Sequence, residues 1–367
     1  MVAEKKKEKE RLFHLVKRND IEPWKKWIIR IASVIIAALL AGVIFAVVAK
    51  DSAAFGGFFK EMWKGSFGTQ RLAYVFTSDW AILMCISLAV TPAFKMRFWN
   101  IGAEGQTLAG ALGAAIILYY LGGKIVEPVV ILLMFAVALF MGMLWAVIPA
   151  IFKAIWGTNE TLFTLMMNYV AIQLTNFFVN LWTRGTQTTM GNLGNGTIHG
   201  ILGIPYIQNA VIVAIVTIII FIYLRYFKHG YELEVVGESQ NTAKYIGINV
   251  KKVIIRTMLL SGVICGLAGF LLVGGSPTPT INAELVAGRG FTAILVSWLS
   301  KFGPLAMIFV TAFVVFLQTG AKQGSNTYHI GASSAYSDII VGLFFLIIIA
   351  SEFFLNYRIK FRKKEGK

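Results

Sequence analysis

Acidic side chains are scarce in this chain. Asp and Glu number 18 among 367 residues, against 34 Lys and Arg. Charged residues make up 14% of the whole, where a soluble domain usually carries about 25%. Cysteines number two, Cys85 and Cys265. Both sit in apolar runs and lack metal-ligand spacing, so neither a disulfide framework nor a metal site is expected. The four histidines, His14, His199, His229 and His329, are scattered. No Ser–His–Asp constellation can be assembled, and no catalytic residue or cofactor-binding residue is nominated. A phosphate loop of the form GxxxxGK followed by Ser or Thr is also missing, so the chain does not hold ATP in that manner.

What is abundant is apolar sequence. Hydrophobic residues make up 57% and the mean hydropathy is +0.71. The long runs free of charge define an all-α, polytopic helical membrane protein. A membrane β-barrel would need alternating segments of about ten residues, and these runs do not alternate. The net charge of +16 would suggest nucleic acid in a soluble protein. Here the positive-inside rule accounts for it, and no nucleic acid partner is expected.

Hydropathy predicts about ten transmembrane segments. They are Ile28 to Ala49, Trp80 to Phe94, a third ending near Leu121, about Val126 to Phe152, about Leu162 to Trp182, Tyr206 to Phe227, Ile254 to Gly275, a short piece Arg289 to Ser300, Leu305 to Gly320, and Ala335 to Phe354. The break at Lys301–Pro304 makes the eighth the weakest, with a re-entrant hairpin as the alternative. This gives a basic cytoplasmic N-terminal segment (1–27), a transmembrane domain (28–356) and a basic cytoplasmic tail (357–367). Leu12, Phe13, Leu15, Val16 and Trp24 suit an interfacial helix, and a disordered basic tail is the alternative. Residues 50–78 read as a polar external connection, and 183–205 and 321–334 as loops. An even number of crossings puts both basic termini on one side. The insert carrying Lys228, Lys244, Lys251 and Lys252 falls there too, which makes that side cytoplasmic.

That insert, about 228–253, is the longest polar interruption in the C-terminal half. Its core, GESQNTAKYIGINVKKV from Gly237 to Val253, is too short for a domain. Asn241 or Thr242 suits the cap of a short helix, and Gly247 its end. Such a helix on a membrane surface is a docking element for a soluble partner; a solvated loop is the plainer reading.

Ionisable residues within spans are few: Glu104, Glu160, Asp338 and Glu352 lie near span ends. No series of buried acids marks a proton path, which argues for energy supplied from elsewhere. Uncharged polar residues are more numerous. Asn168 and Thr175 share a helix face, with Gln173 and Asn176 nearby. Asn100, Glu104 and Gln106 frame a break in which Gly102 and Gly105 allow unwinding. Helix packing and a substrate path are both open for these side chains. SGVICGLAG, Ser261 to Gly269, is a small-residue face suited to close helix packing.

NIGAEGQ at 100–106, GESQNTAKYIGINV at 237–250 and SGVICGLAG at 261–269, in this order and spacing, resemble the permease subunits of bacterial ABC importers. The branch is the one for branched-chain amino acids, ribose and other simple sugars, and nucleosides. NIGAEGQ is similar to its nucleoside-type members. NAELVAGRGFTAILVSWLSKFGP, from Asn282 to Pro304, fits as well. The resemblance implies a permease that forms a path for nucleosides, with nucleobases in reach, in the bacterial cytoplasmic membrane. It implies a cytoplasmic ATPase subunit that binds the ATP, a second permease subunit of the same or a different kind, and an extracytoplasmic substrate-binding lipoprotein, all within membrane lipid. The insert becomes the coupling helix, with Gly237, Glu238, Asn241, Ala243, Tyr245, Gly247 and Ile248 seated on the ATPase. Thr242 departs from the Ala common at that position. The resemblance also moves NIGAEGQ from a span boundary to a broken helix within the membrane, making Asn100, Glu104 and Gln106, with Asn168 and Gln173, the substrate-path candidates. Alternatives are a ribose-type permease and an ion-coupled secondary carrier.

Overall fold

A computed structural model describes residues 13–17, 22–191, 193, 196–198, 200, 204, 206–331 and 333–361. His199 lies outside them, as do Leu12 and the last six residues of the basic tail. Thirteen helices follow one another among the described residues: α1 (Pro23–Ala49), α2 (Ala54–Phe67), α3 (Gln70–Lys95), α4 (Ala103–Leu121), α5 (Glu127–Trp156), α6 (Glu160–Thr183), α7 (Ile207–Tyr226), α8 (Lys228–Glu238), α9 (Gln240–Tyr245), α10 (Val250–Gly274), α11 (Arg289–Leu299), α12 (Pro304–Thr327) and α13 (Ser333–Asn356). Eight of them are long and apolar enough to cross a membrane. Two short antiparallel ladders complete the described fold, β1 (Phe13–Lys17) with β4 (Tyr357–Phe361) and β2 (Thr189–Met190) with β3 (Ile281–Asn282).

Contacts divide the chain into two units, residues 1–65 with 317–367, and residues 66–316. In the first, α1 lies along α13, and Arg30 meets Glu352 at 2.6 Å. Phe45 is fully buried among Phe58, Tyr328 and Tyr336. The β1–β4 ladder pairs residues 13–17 with 357–361.

The second unit is built on close approach. Gly262 and Gly266 of α10 face Gly142 and Ala138 of α5; a Cβ on Gly266 would lie 2.4 Å from the Ala138 carbonyl oxygen. Gly269 faces the Thr107 carbonyl of α4, and Gly110 faces Gly266. SGVICGLAG is therefore the seam of a three-helix core, as the spacing of small residues predicts. Bulkier side chains there would push backbones apart.

Several boundaries differ from the hydropathy reading. Residues 54–67 form α2, and α3 begins at Gln70, capped by Thr69 whose hydroxyl accepts from the Leu72 amide at 3.3 Å. The 50–78 stretch is therefore mostly helix. Phe13 to Lys17 is a strand, not an interfacial helix. Residues 321–327 belong to α12. The short piece is α11, whose 11 residues span about 16 Å. It covers half a bilayer core of about 30 Å, and the non-helical run 283–288 leads into it from β3.

Candidate functional site

Two features stand out in unit 66–316. The first is the break between α3 and α4. Residues 96–102 are non-helical, and their polar groups find partners deep in the bundle. The Asn168 carboxamide grips the turn from α6: its Oδ1 accepts from the Gly105 amide at 2.8 Å and its Nδ2 donates to the Ile101 carbonyl at 2.9 Å. Asn168 lies eight residues into α6, about 12 Å along its axis. Thr164 accepts from the Ile101 amide. Asn100 donates to Gln106 and to Ser261, and its own Oδ1 accepts from the Gln106 amide and the Gly102 amide. Ser261 is eleven residues into α10, about 16 Å from its start. Asn100 and Gly102 are thus buried within the bundle, while Arg97 and Trp99 of the same break are exposed beside the end of α3.

Glu104 completes the set. Its two carboxylate oxygens accept from the Gly288 and Gly290 amides at 2.8 and 2.7 Å, at the start of α11. Gly290 has no room for a side chain, since a Cβ there would lie 2.4 Å from the Glu104 nitrogen. One carboxylate thus joins the start of α4 to the start of α11. Arg289, between those two glycines, pairs with Asp79 of α3 at 2.6 Å.

Asn100, Glu104, Gln106 and Asn168 are thus all buried around one turn: Asn100 and Gln106 bond each other, Asn168 bonds the turn's backbone, and Glu104 bonds the α11 amides. Gln173 is not among them. Its side chain is exposed on α6, in line with Met166, Tyr169, Val170 and Phe177. Thr175 shares the buried face of Asn168, as their spacing predicts. Sequence reasoning missed Ser261, Thr164 and the Gly288–Gly290 amides as partners. Gly288 and Gly290 in GRG were the available signal.

The second feature is the polar insert. α8 follows α7 with only Phe227 between them, and buried His229 anchors the junction. The Thr257 hydroxyl donates to the Val253 carbonyl, so it accepts from His229 Nε2 at 3.2 Å; Nδ1 then accepts from the Tyr223 hydroxyl at 2.6 Å. Burial, then the charge of Arg256, holds His229 below its ordinary pKa, consistent with this neutral tautomer. Gly237 seats α8 on the end of α3, where a Cβ would lie 2.2 Å from the Lys95 carbonyl oxygen, and Lys95 pairs with Glu234 at 3.0 Å.

Ser239 caps α9, its hydroxyl accepting from the Thr242 amide. This corrects the assignment of the cap to Asn241 or Thr242. The end is as expected: Ile248 donates to the Ala243 carbonyl, Gly247 donates to the Lys244 carbonyl, and Gly247 takes φ +86°. This is a Schellman stop that favours glycine. Of the coupling candidates, Gly237 and Ala243 are buried anchors, while Glu238, Asn241 and Gly247 are exposed and Ile248 is half-buried. Tyr245 projects furthest, 92% exposed, with Ile246 beside it at 51%.

A bundle of long apolar helices with a hydrogen-bonded polar break between two of them, and a braced polar segment presenting an aromatic side chain to solvent, defines a membrane transport subunit. Residues 72–349 match the family described as branched-chain amino acid transport system / permease component. The chain belongs to that family and is a multi-pass permease component of an ABC transporter. It is similar to the guanosine ABC transporter permease protein NupP of Bacillus subtilis, 29% identical over 90% of this chain and 95% of the relative. It is also similar to the glucose ABC transporter permease protein TsgB13 of Haloferax volcanii, 27% identical over 93% and 92%. The nucleoside ABC transporter permease protein NupB of Lactococcus lactis is 26% identical over 67% of this chain and 70% of its own length.

Proposed function

We propose that this chain forms the translocation path of an ATP-driven importer for nucleosides in the bacterial cytoplasmic membrane. The observation that carries the substrate is the similarity to a guanosine permease along nearly the full length of both chains, joined to the NIGAEGQ sequence. A second reading, a sugar permease, draws on the comparable match to a glucose permease. The two are separated by uptake of radiolabelled adenosine in cells carrying the complete system. Unlabelled guanosine or uridine is expected to compete, and ribose or glucose in large excess is not. Competition by the sugars alone would reverse the substrate assignment.

In this reading the chain crosses the membrane ten times, counting α4 and the half-helix α11 with its lead-in, and both termini and the insert face the cytoplasm. The α8–α9 segment is the coupling element. Gly237 and Ala243 hold it on the permease, and Glu238, Asn241, Tyr245, Gly247 and Ile248 meet a separate ATPase subunit, which binds the ATP. An extracytoplasmic lipoprotein delivers substrate, and a second permease, most simply a different chain, completes the path. Among the path residues the work is divided. Asn100, Glu104, Gln106 and Asn168 fix the broken helix beside the path. Gln173 is the one with a side chain free to meet substrate. It lies about 20 Å into α6, where an amide facing hydrocarbon would be costly, so its face is turned to the path or to the second permease.

A further inference from the structure

The helix breaks at the ends of α3 and α11 enclose a cup of about 470 Å³, lined by Phe94, Lys95, Arg97, Trp99, Trp298, Lys301 and Phe302. Its wall is aromatic. Phe94 contacts Trp99, Trp298 and Phe302, and Trp99 lies 5.4 Å from Trp298 between ring centres. Its rim is cationic. Lys95 is paired with Glu234, but Arg97 and Lys301 are exposed and have no ion pair among the described residues. Arg97, Lys301 and Phe302 are all non-glycine residues with positive φ, 57°, 52° and 59°. Such backbone costs energy and concentrates where a side chain must be held in a particular direction. Both unpaired cations are therefore presented at one cup by strained turns from two separate breaks.

An apolar stripe leads into the cup. Phe291, Leu295 and Trp298 are exposed along one face of α11, and Leu305 and Phe309 are exposed on α12. The α11 stripe runs about 10 Å. A cationic rim with aromatic walls at the foot of an apolar stripe is complementary to a phosphate headgroup with an acyl chain. A nucleoside is uncharged and leaves Arg97 and Lys301 unanswered. We infer that this cup binds an anionic phospholipid, its phosphate between Arg97 and Lys301 and one acyl chain along Phe291, Leu295 and Trp298. The leaflet is the one on the side of the coupling segment, a point that rests on the proposed function. Lys95 belongs to both features, since its ammonium pairs with α8 and its carbonyl meets Gly237.

The test uses the full chain, purified with whatever subunits accompany it, in nanodiscs containing equal phosphatidylglycerol and phosphatidylcholine. Native mass spectrometry after transfer to detergent reads the lipid retained. Preferential retention of one phosphatidylglycerol is expected. Arg97→Asn with Lys301→Asn should reduce it roughly tenfold; asparagine tolerates the left-handed backbone, so the turns survive. The pair Lys251→Gln and Lys252→Gln, exposed cations on the insert side, should leave retention unchanged. Equal retention in the Arg97/Lys301 variant, or equal loss in the Lys251/Lys252 variant, would overturn the site. Displacement of the lipid by millimolar inorganic phosphate would instead assign the cup to a free anion and overturn the lipid. Recording in the same spectra whether an ATPase subunit accompanies the chain keeps the lipid result separate from the permease reading.

Discussion

Asn168→Leu is expected to abolish uptake and to lower the thermal stability of the purified permease. The leucine strands the Gly105 amide and the Ile101 carbonyl, which Asn168 satisfies at 2.8 and 2.9 Å. Each buried backbone group left unpaired costs about 1–3 kcal/mol, so the loss is about 2–6 kcal/mol at one position. Glu104→Leu has the same logic, stranding the Gly288 and Gly290 amides. Glu104→Gln should be milder, because its carbonyl oxygen still accepts one of the two bonds while its NH2 opposes the other amide. Gln173→Leu, on the exposed face of α6, should leave stability within about 0.5 kcal/mol while lowering uptake. Thermal melts by fluorescence-detected size exclusion, paired with uptake, check the series. A leucine at 168 that melts like the parent would show that the break is held by something other than this carboxamide.

The second large effect concerns Tyr245. A side chain 92% exposed at the end of a six-residue helix adds little to the fold of its own chain. Tyr245→Glu should therefore leave membrane content and melting temperature unchanged. If Tyr245 docks on the ATPase, its loss removes an aromatic contact of the kind that costs 2 kcal/mol or more at interfaces, and uptake should fall by more than about tenfold. ATP hydrolysis by the assembled complex should persist without transport. Gly247→Val acts differently, by straining the φ +86° stop and reorienting the same tip. Normal uptake in both variants would remove the coupling role from α9.

Much of this was legible in the residues. Long uncharged runs define the helices, the small residues of SGVICGLAG define the α10 seam, and Gly247 marks the helix end. What escaped hydropathy has physical reasons. α2 carries Lys60, Glu61 and Lys64 beside Phe58, Met62 and Trp63, so its mean apolarity is too low for a window to register although it folds as a helix. The first turns of α3 are polar for the same reason. The partners of the 96–106 stretch escaped because hydropathy registers polarity and not what answers it. Here the polar groups are answered by Asn168, Ser261 and the Gly288–Gly290 amides, partners 63 to 186 residues away in sequence. That pairing is a property of the folded chain alone. The cap of α9 was misplaced by two or three positions because Ser239, Asn241 and Thr242 are all competent caps, and only the backbone decides among them.

In the proposed function this chain is one permease of a larger ATP-driven importer. Isolation of the tagged protein from native membranes in mild detergent, with identification of what accompanies it, tests this most directly. An ATPase subunit, a second permease and a substrate-binding lipoprotein should be recovered together, and Tyr245→Glu should weaken recovery of the ATPase alone. Recovery of the chain by itself, still competent for uptake in liposomes without ATP, would make this a self-sufficient carrier and remove the importer reading.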